Sequence, residues 1–158
     1  DLDPVFIPGT SAIVFSSNRT NDSLVVKNVP MNDVTDNFNL FIYNLDTTKH
    51  SFFRLTNTYS TDRKPVAKND YFIYYLSDQK GITNLYRFSL LDTTFSQVTA
   101  FDKGIQDFDL HFDKDAIAFM MLDKGAQKVY HNTTIDLDQD NFTQPTPRQN
   151  VKQSRFLF

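Results

Sequence analysis

Three copies of one short hydrophobic strand occur in the chain: AIVFSSNR (residues 12–19), FIYYLSDQ (72–79) and AIAFMMLD (116–123). The first two copies lead into a second shared strand, NLFIYNLDTT (39–48) and NLYRFSLLDTT (84–94), and then into the endings RLT (54–56) and QVT (97–99). A repeat of this length determines the whole architecture, so it is interpreted before any single element.

The spacing between equivalent residues gives the length of the repeat. Ile73 and Ile117 are 44 residues apart, and Leu40 and Leu85 are 45 apart. Ile13 and Ile73 are 60 apart, so the first copy carries an insertion of about 16 residues. Units of about 40–45 residues with four short strands are typical of β-propeller blades. The sequence therefore predicts an all-β fold of about three blades, each with four antiparallel strands, as part of a six- to eight-bladed ring.

The repeat also divides the chain into units. The predicted units are residues 1–60 with a loop insertion near 20–38, residues 61–103, a partial third unit at 104–135, and an irregular tail or the start of a next blade at 136–158. The chain begins at Asp1 without Met and ends in the hydrophobic run Phe156–Phe158. We therefore expect a processed or excised piece that stops within a blade.

Composition supports the all-β prediction and excludes several classes of function. Aromatic residues make up 15% of the chain and favour strands, and no sustained helical period occurs. The formal net charge is −3 without a basic stripe, so nucleic acid is not an expected partner. No apolar run reaches the roughly 18 residues of a membrane-spanning helix. The absence of Cys excludes disulfides and thiolate metal sites.

No cofactor is predicted, and the chain is not expected to be an enzyme. His50, His111 and His131 lie in different copies and lack the spacing of metal ligands. The chain contains no Gly-x-Ser-x-Gly motif, and its four Gly form no phosphate-binding loop.

One acidic run is the candidate for a cation site. It contains Asp136, Asp138 and Asp140. An EF-hand loop requires Gly and Glu at positions that hold Asn141 and Pro147 here. We therefore predict a solvated acidic loop, with calcium binding as the alternative.

These repeats resemble those of TolB-like propellers, in which Ile-Ala-Phe-x-Ser-Asn-Arg is followed by Asn-Leu-Tyr and Arg-Leu-Thr. The residues that carry the resemblance are Pro4, 13–19, 39–49 and 54–56 in the first copy, Pro65, 73–78, 84–86 and 98–99 in the second, and Phe108, 112–113, 116–119 and 128–130 in the third. The resemblance covers about residues 1–131, and the third copy lacks the Ser-Asn-Arg ending. The repeats are also similar to the propellers of prolyl-oligopeptidase-type and tricorn-like proteases.

The resemblance implies a non-catalytic protein-binding scaffold in the periplasm, or associated with the outer membrane, of a Gram-negative bacterium. The implied partners are other cell-envelope proteins, such as OmpA-like proteins or peptidoglycan-associated lipoproteins. The alternative function is the gating propeller of a prolyl-oligopeptidase-type serine peptidase without its hydrolase domain.

Two loops are the expected partner contacts. Ser17, Asn18 and Arg19 follow the first recurring strand, and Ser77, Asp78, Gln79 and Lys80 follow the second. Equivalent strands should bring both loops to one rim of the propeller. The alternative is that these residues only form turns, as Ser, Asn and Asp commonly do.

Three blades are too few for a closed ring, which usually has four to eight. An open arc would leave two sheet faces with large apolar areas exposed. We therefore expect a longer parent chain, association of two copies into a six-bladed ring, or incorporation into a larger assembly.

Overall fold

Nearly all regular structure in this chain is β-strand. The computed structural model describes residues 1–24, 35–46, 48 and 51–155. The strands are β1 (Leu2–Phe6), β2 (Ala12–Ser17), β3 (Asn39–Asn44), β4 (Phe52–Arg54), β5 (Arg63–Ala67), β6 (Phe72–Ser77), β7 (Asn84–Ser89), β8 (Thr94–Gln97), β9 (Ile105–His111), β10 (Ala116–Asp123) and β11 (Ala126–Asn132). A short 3-10 helix, Phe112–Lys114, joins β9 to β10, and helix α1 (Pro147–Ser154) lies in the tail. No helix among the described residues has both the length and the apolar character needed to span a membrane.

The strands form three antiparallel sheets in the chain order expected of propeller blades. The first sheet has the order β1-β2-β3-β4, the second β5-β6-β7-β8, and the third β11-β10-β9. The repeats have the same register, since Ser17 pairs with Asn39 and Ser77 pairs with Asn84. The prediction of an all-β chain built from propeller-like blades is confirmed. The sheets do not close into a ring.

The hydrophobic core lies in the two gaps between successive sheets. Along β6, Ile73 and Tyr75 face the first sheet, whereas Tyr74 and Leu76 face the third. All four side chains are buried. Burial on both faces explains why this strand is almost continuously apolar instead of alternating with polar residues.

The first strands of the three sheets are connected by charged groups. Asp3 Oδ2 accepts a hydrogen bond from the backbone N–H of Lys64, and Lys64 Nζ binds Asp107 Oδ1 at 2.8 Å. Asp3 and Lys64 have φ values of 53° and 54° at equivalent irregularities in β1 and β5. Pro4 and Pro65 follow them. The prolines of the repeat therefore mark a bulge in the first strand of each of these two sheets.

The tail packs against the second sheet. Leu137 is buried in the core between the second and third sheets, and its carbonyl accepts a hydrogen bond from the Tyr74 hydroxyl. Asn141 extends the edge of β8 by pairing with Gln97. The chain then reaches the rim, where the Thr146 N–H donates to the carbonyl of Lys80. Residues 25–34 of the predicted insertion and the run Phe156–Phe158 lie outside the described residues.

Candidate functional site

The two predicted rim loops follow equivalent strand ends. Each begins at a buried serine that ends its strand, Ser17 in β2 and Ser77 in β6. The structure gives the residues in both loops extensive contacts within the chain, described below. Their role in binding a partner stays a prediction.

Arg19 attaches the beginning of the insertion to the first sheet. Its Nε donates to Ser17 Oγ at 3.0 Å, and its Nη2 binds both carboxylate oxygens of Asp1 at 2.7 and 2.8 Å. Its side chain is only 9% exposed. Burial, and then the neighbouring charge of Arg54, lowers the pKa of Arg19 from its usual value. The Arg19 side chain is therefore mostly occupied by contacts within the chain. In the same loop, the Asn18 side chain donates a hydrogen bond to the Thr35 carbonyl at 3.3 Å.

A cluster of aromatic rings lies beneath the Arg19 guanidinium. The cluster consists of Phe15, Phe41 and Phe52, whose ring centroids lie 5.0–5.5 Å from the guanidinium carbon. Arg54 lies 4.9 Å from the centroid of Phe41 and binds Asp22 in the insertion. Cation–π contacts of this kind stabilise a buried cation. This face of the first sheet would meet a preceding blade in a ring, and here the insertion covers part of it.

A cleft remains on the same face. Its volume is about 260 Å³, and it is lined by Leu2, Ile13, Leu24 and Tyr43 among others. The expectation of two open faces is therefore too simple for this chain, because Arg19 and the insertion partly cover the first face.

The second rim loop lies beneath the tail. Asp78 Oδ1 accepts a hydrogen bond from the Thr61 N–H at 2.7 Å. The carbonyl of Gln79 accepts one from Gln153 on α1. Lys80 Nζ lies 4.9 Å from the ring centroid of Phe142. The tail therefore covers part of this loop: Ser77 and Gln79 are buried, whereas Asp78 and Lys80 remain half-exposed.

Gly81 allows the tail to approach this loop closely. It has φ +96°, a conformation that glycine adopts without steric cost. A Cβ atom at this position would overlap the side chain of Thr146. Any larger residue at position 81 would therefore push the tail away from the rim.

A buried carboxyl group connects the two blades below the rim loops. Asp62 is fully buried and accepts hydrogen bonds from Ser77 Oγ at 2.6 Å, Ser60 Oγ at 2.9 Å and Thr58 Oγ1 at 2.9 Å. Ser16 Oγ of the first sheet donates to the Asp62 carbonyl. Burial raises the pKa of Asp62, although the hydroxyl donors oppose this shift.

Sequence reasoning missed this cluster. The segment that leads from β4 to β5 is dense in hydroxyl groups, with Thr56, Thr58, Ser60 and Thr61 preceding Asp62. That density was the available signal. The hydroxyl groups of Ser16 and Ser77 join the cluster only because the fold brings β2 and β6 together.

The repeated Asn-Leu and Leu/Val-Thr pairs have a structural role at the start of the third strand. Thr99 Oγ1 accepts a hydrogen bond from the Leu85 N–H at 2.9 Å and donates to Asn84 Oδ1 at 2.8 Å. In the first sheet, Thr56 Oγ1 accepts from the Leu40 N–H at the same distance. In both sheets, the threonine that follows the fourth strand is therefore hydrogen-bonded to the start of the third strand.

The acidic candidates lie around one arginine. Asp138 and Asp140 bind the two terminal nitrogens of Arg87 at 3.1 and 3.2 Å. Asp136 instead accepts a hydrogen bond from the N–H of Asp138 and forms a turn. In the part of the chain that the structure describes, no three His, Cys, Asp or Glu side chains are grouped to hold a metal ion. A solvated acidic loop stays the prediction here, with calcium binding as its alternative.

No described residue covers the outer face of the third sheet. Val129 is 76% exposed, whereas Leu40 and Leu85 at the equivalent positions are fully buried. The equivalence follows from the register, because Val129 pairs with Met120 as Leu85 pairs with Leu76. A shallow cleft of about 240 Å³ on this face is lined by apolar side chains together with Asp107 and Asp109.

Comparison with known proteins supports the fold. The structure is similar to that of a puromycin-hydrolyzing peptidase from Mycobacterium tuberculosis, with a TM-score of 0.57 and 11% sequence identity. The match covers 86% of this chain and 21% of the peptidase, so the chain spans about a fifth of that protein. At this identity the likeness shows the fold alone. No protein-family profile matches the chain. No curated protein matches it either.

Proposed function

We propose that this chain is a non-catalytic segment of a larger β-propeller that acts as a protein-binding scaffold. The observation that carries the proposal is the uncovered face of the third sheet. Val129 is exposed at a position where Leu40 and Leu85 are buried against the following blade. On this face the apolar side chains of Ala118, Met120 and Val129 lie beside the exposed Asp107 and Asp109. Exposed apolar surface with polar residues at its rim is typical of an interaction site.

The location and the partners are part of the same proposal. The resemblance of the repeats to TolB-like propellers implies a periplasmic protein of the bacterial cell envelope. OmpA-like proteins or peptidoglycan-associated lipoproteins would then bind at the rim that carries Asn18, Asp78 and Lys80. The contacts within the chain restrict this surface to the solvent-facing parts of both loops.

The structural similarity to a peptidase favours a second candidate. In this alternative the three blades belong to the gating propeller of a serine peptidase, and the hydrolase domain lies in another part of the protein. Both candidates make these blades non-catalytic and part of a longer protein. They differ in the domain that accompanies the propeller.

The coding sequence that flanks this segment separates the two candidates. A downstream Gly-x-Ser-x-Gly motif would decide for the peptidase. An OmpA-like or tetratricopeptide segment would decide for the scaffold.

The exposed face can be tested separately with a hydrophobic dye. The 158-residue chain should bind the dye and associate as its concentration rises. Val129→Lys should reduce both effects. Leu91→Lys provides the control, because Leu91 is 69% exposed in a hairpin away from this face. A stable monomer that binds no dye would contradict the proposal.

A further inference from the structure

The positive charge at the end of the chain is concentrated in helix α1. Residues 141–158 contain Arg148, Lys152 and Arg155 and no Asp or Glu. The whole chain has 16 Lys and Arg against 19 Asp and Glu, so residues 1–140 hold 13 cations and a formal charge of −6. One short helix is therefore basic on an otherwise acidic protein.

Two glutamines determine which side of α1 faces the protein. Gln149 Nε2 donates a hydrogen bond to the Tyr59 carbonyl at 3.4 Å, and Gln153 Nε2 donates one to the Gln79 carbonyl at 3.3 Å. Gln149 is buried. Because residues four apart lie on one face of a helix, these contacts place the glutamine face against the rim.

The three cations lie together on another face of α1. They are spaced by four and three residues, with Val151 beside them, and they extend over about 10 Å of the helix. Arg148 and Arg155 are exposed, and Lys152 is half-buried. Together with Val151, these side chains line a cleft of about 550 Å³.

No Asp among the described residues forms an ion pair with these three cations. Elsewhere basic side chains commonly have such partners, as Arg87 has in Asp138 and Asp140. Like charges three or four residues apart repel each other and destabilise a helix. Arg148 also lies in the first turn, where a positive charge opposes the helix dipole. The arrangement therefore costs stability, and an anion from outside the chain would offset this cost.

The charge on the rest of the chain restricts which anion fits. Nucleic acids and anionic membranes present extended negative surfaces, which the formal charge of −6 on residues 1–140 would repel. A short polypeptide segment can contact α1 alone. Val151 is 53% exposed in the same cleft, so a fitting segment has an apolar side chain as well as carboxylates.

We propose that the cleft on α1 binds an acidic segment of another protein. Carboxylates of this segment pair with Arg148, Lys152 and Arg155, and an apolar side chain packs on Val151. An arginine can bind a carboxylate through two parallel hydrogen bonds. The cleft includes neither the rim-loop residues nor the face that carries Val129, so the inference does not depend on the proposed function.

Fluorescence polarisation on the 158-residue chain tests the inference with three labelled peptides. The first is Gly-Asp-Asp-Leu-Asp-Asp-Gly, the second has Asn in place of each Asp, and the third has Ser in place of Leu. The first peptide should bind saturably and should lose affinity as the salt concentration rises. The Asn peptide should bind at least about tenfold more weakly, and the Ser peptide about two- to fivefold more weakly.

Charge-neutral variants of the protein identify the site. Lys152→Gln should weaken binding about two- to fivefold, and the combined Arg148→Gln, Lys152→Gln and Arg155→Gln variant at least about tenfold. The combined variant should unfold at about the same urea concentration as the parent chain, because the cations repel each other in the free helix. Lys114→Gln is the control and should bind like the parent. Lys114 is exposed in the 3-10 helix before β10, whereas α1 lies over the loop that follows β6.

Absence of saturable binding, or equal binding by the Asn peptide or by the combined variant, would overturn the inference. Three other results in place of peptide binding would overturn it as well. Binding to phosphatidylglycerol vesicles would assign the cations to a membrane surface. Self-association that the combined variant abolishes would assign the cleft to a second copy. Peptide binding that appears only in a Phe156→Ser, Leu157→Ser and Phe158→Ser variant would assign the cleft to the end of this chain.

Discussion

A matched pair of truncations tests whether the third sheet has an uncovered face. Leu85→Ala and Val129→Ala shorten side chains at equivalent positions of β7 and β11. Leu85 is fully buried between the second and third sheets, so its truncation should leave a cavity and lower the free energy of unfolding by about 2–5 kcal/mol. Among the described residues, no sheet packs on the face that carries Val129. Its truncation should cost less than about 1 kcal/mol, mostly through weaker strand propensity.

Urea denaturation of the two variants and the parent chain provides the measurement. The chain has 7 Tyr and no Trp, so tyrosine fluorescence and far-ultraviolet circular dichroism can follow unfolding. Coincident transitions by both probes would justify a two-state free energy. Equal losses for Leu85→Ala and Val129→Ala would refute the reasoning, since they would show that Val129 is packed as firmly as Leu85.

Three further outcomes are expected from urea denaturation. Arg19→Ala should lower the free energy of unfolding by about 1–2 kcal/mol, because the cation–π contacts and the carboxylate pair are lost, whereas the exposed Arg155→Ala should change it by less than about 0.5 kcal/mol. Burial raises the folded-state pKa of Asp62 above its ordinary 3.8. The contribution of this group to the free energy of unfolding should therefore be greatest at low pH, and it should be lost as pH rises through the raised pKa. Asp62→Asn should remove this dependence, and an unchanged pH profile would contradict the assignment. Thr99→Val should cost about 1–3 kcal/mol by leaving a buried N–H unpaired, and the exposed Thr94→Val should be nearly neutral.

The repeat made the fold predictable from sequence. Equivalent residues such as Ser17 and Ser77 recur in successive copies, and they have the same pairing in the structure. The apolar character of β6 also indicated burial on both faces. A repeated pattern is informative because each copy has to solve the same packing problem between two neighbours.

The environment of the candidate residues was much less predictable. Nothing in the local sequence indicates that Arg19 lies on three aromatic rings, because Phe15, Phe41 and Phe52 meet only after three strands have paired. Asp62 becomes a shared buried group only when two sheets come together. Such long-range contacts leave little trace in a single sequence.

The side chain at position 129 tests the central claim most directly. The chain has no Cys, so Val129→Cys and Leu85→Cys each introduce a single thiol that can be labelled. In the 158-residue chain, Val129→Cys should react nearly as fast as in the unfolded chain, and Leu85→Cys should be protected until the protein unfolds. In the proposed longer protein, a covering blade or partner should protect Val129→Cys as well. Equal and rapid labelling of Val129→Cys in both contexts would contradict the account.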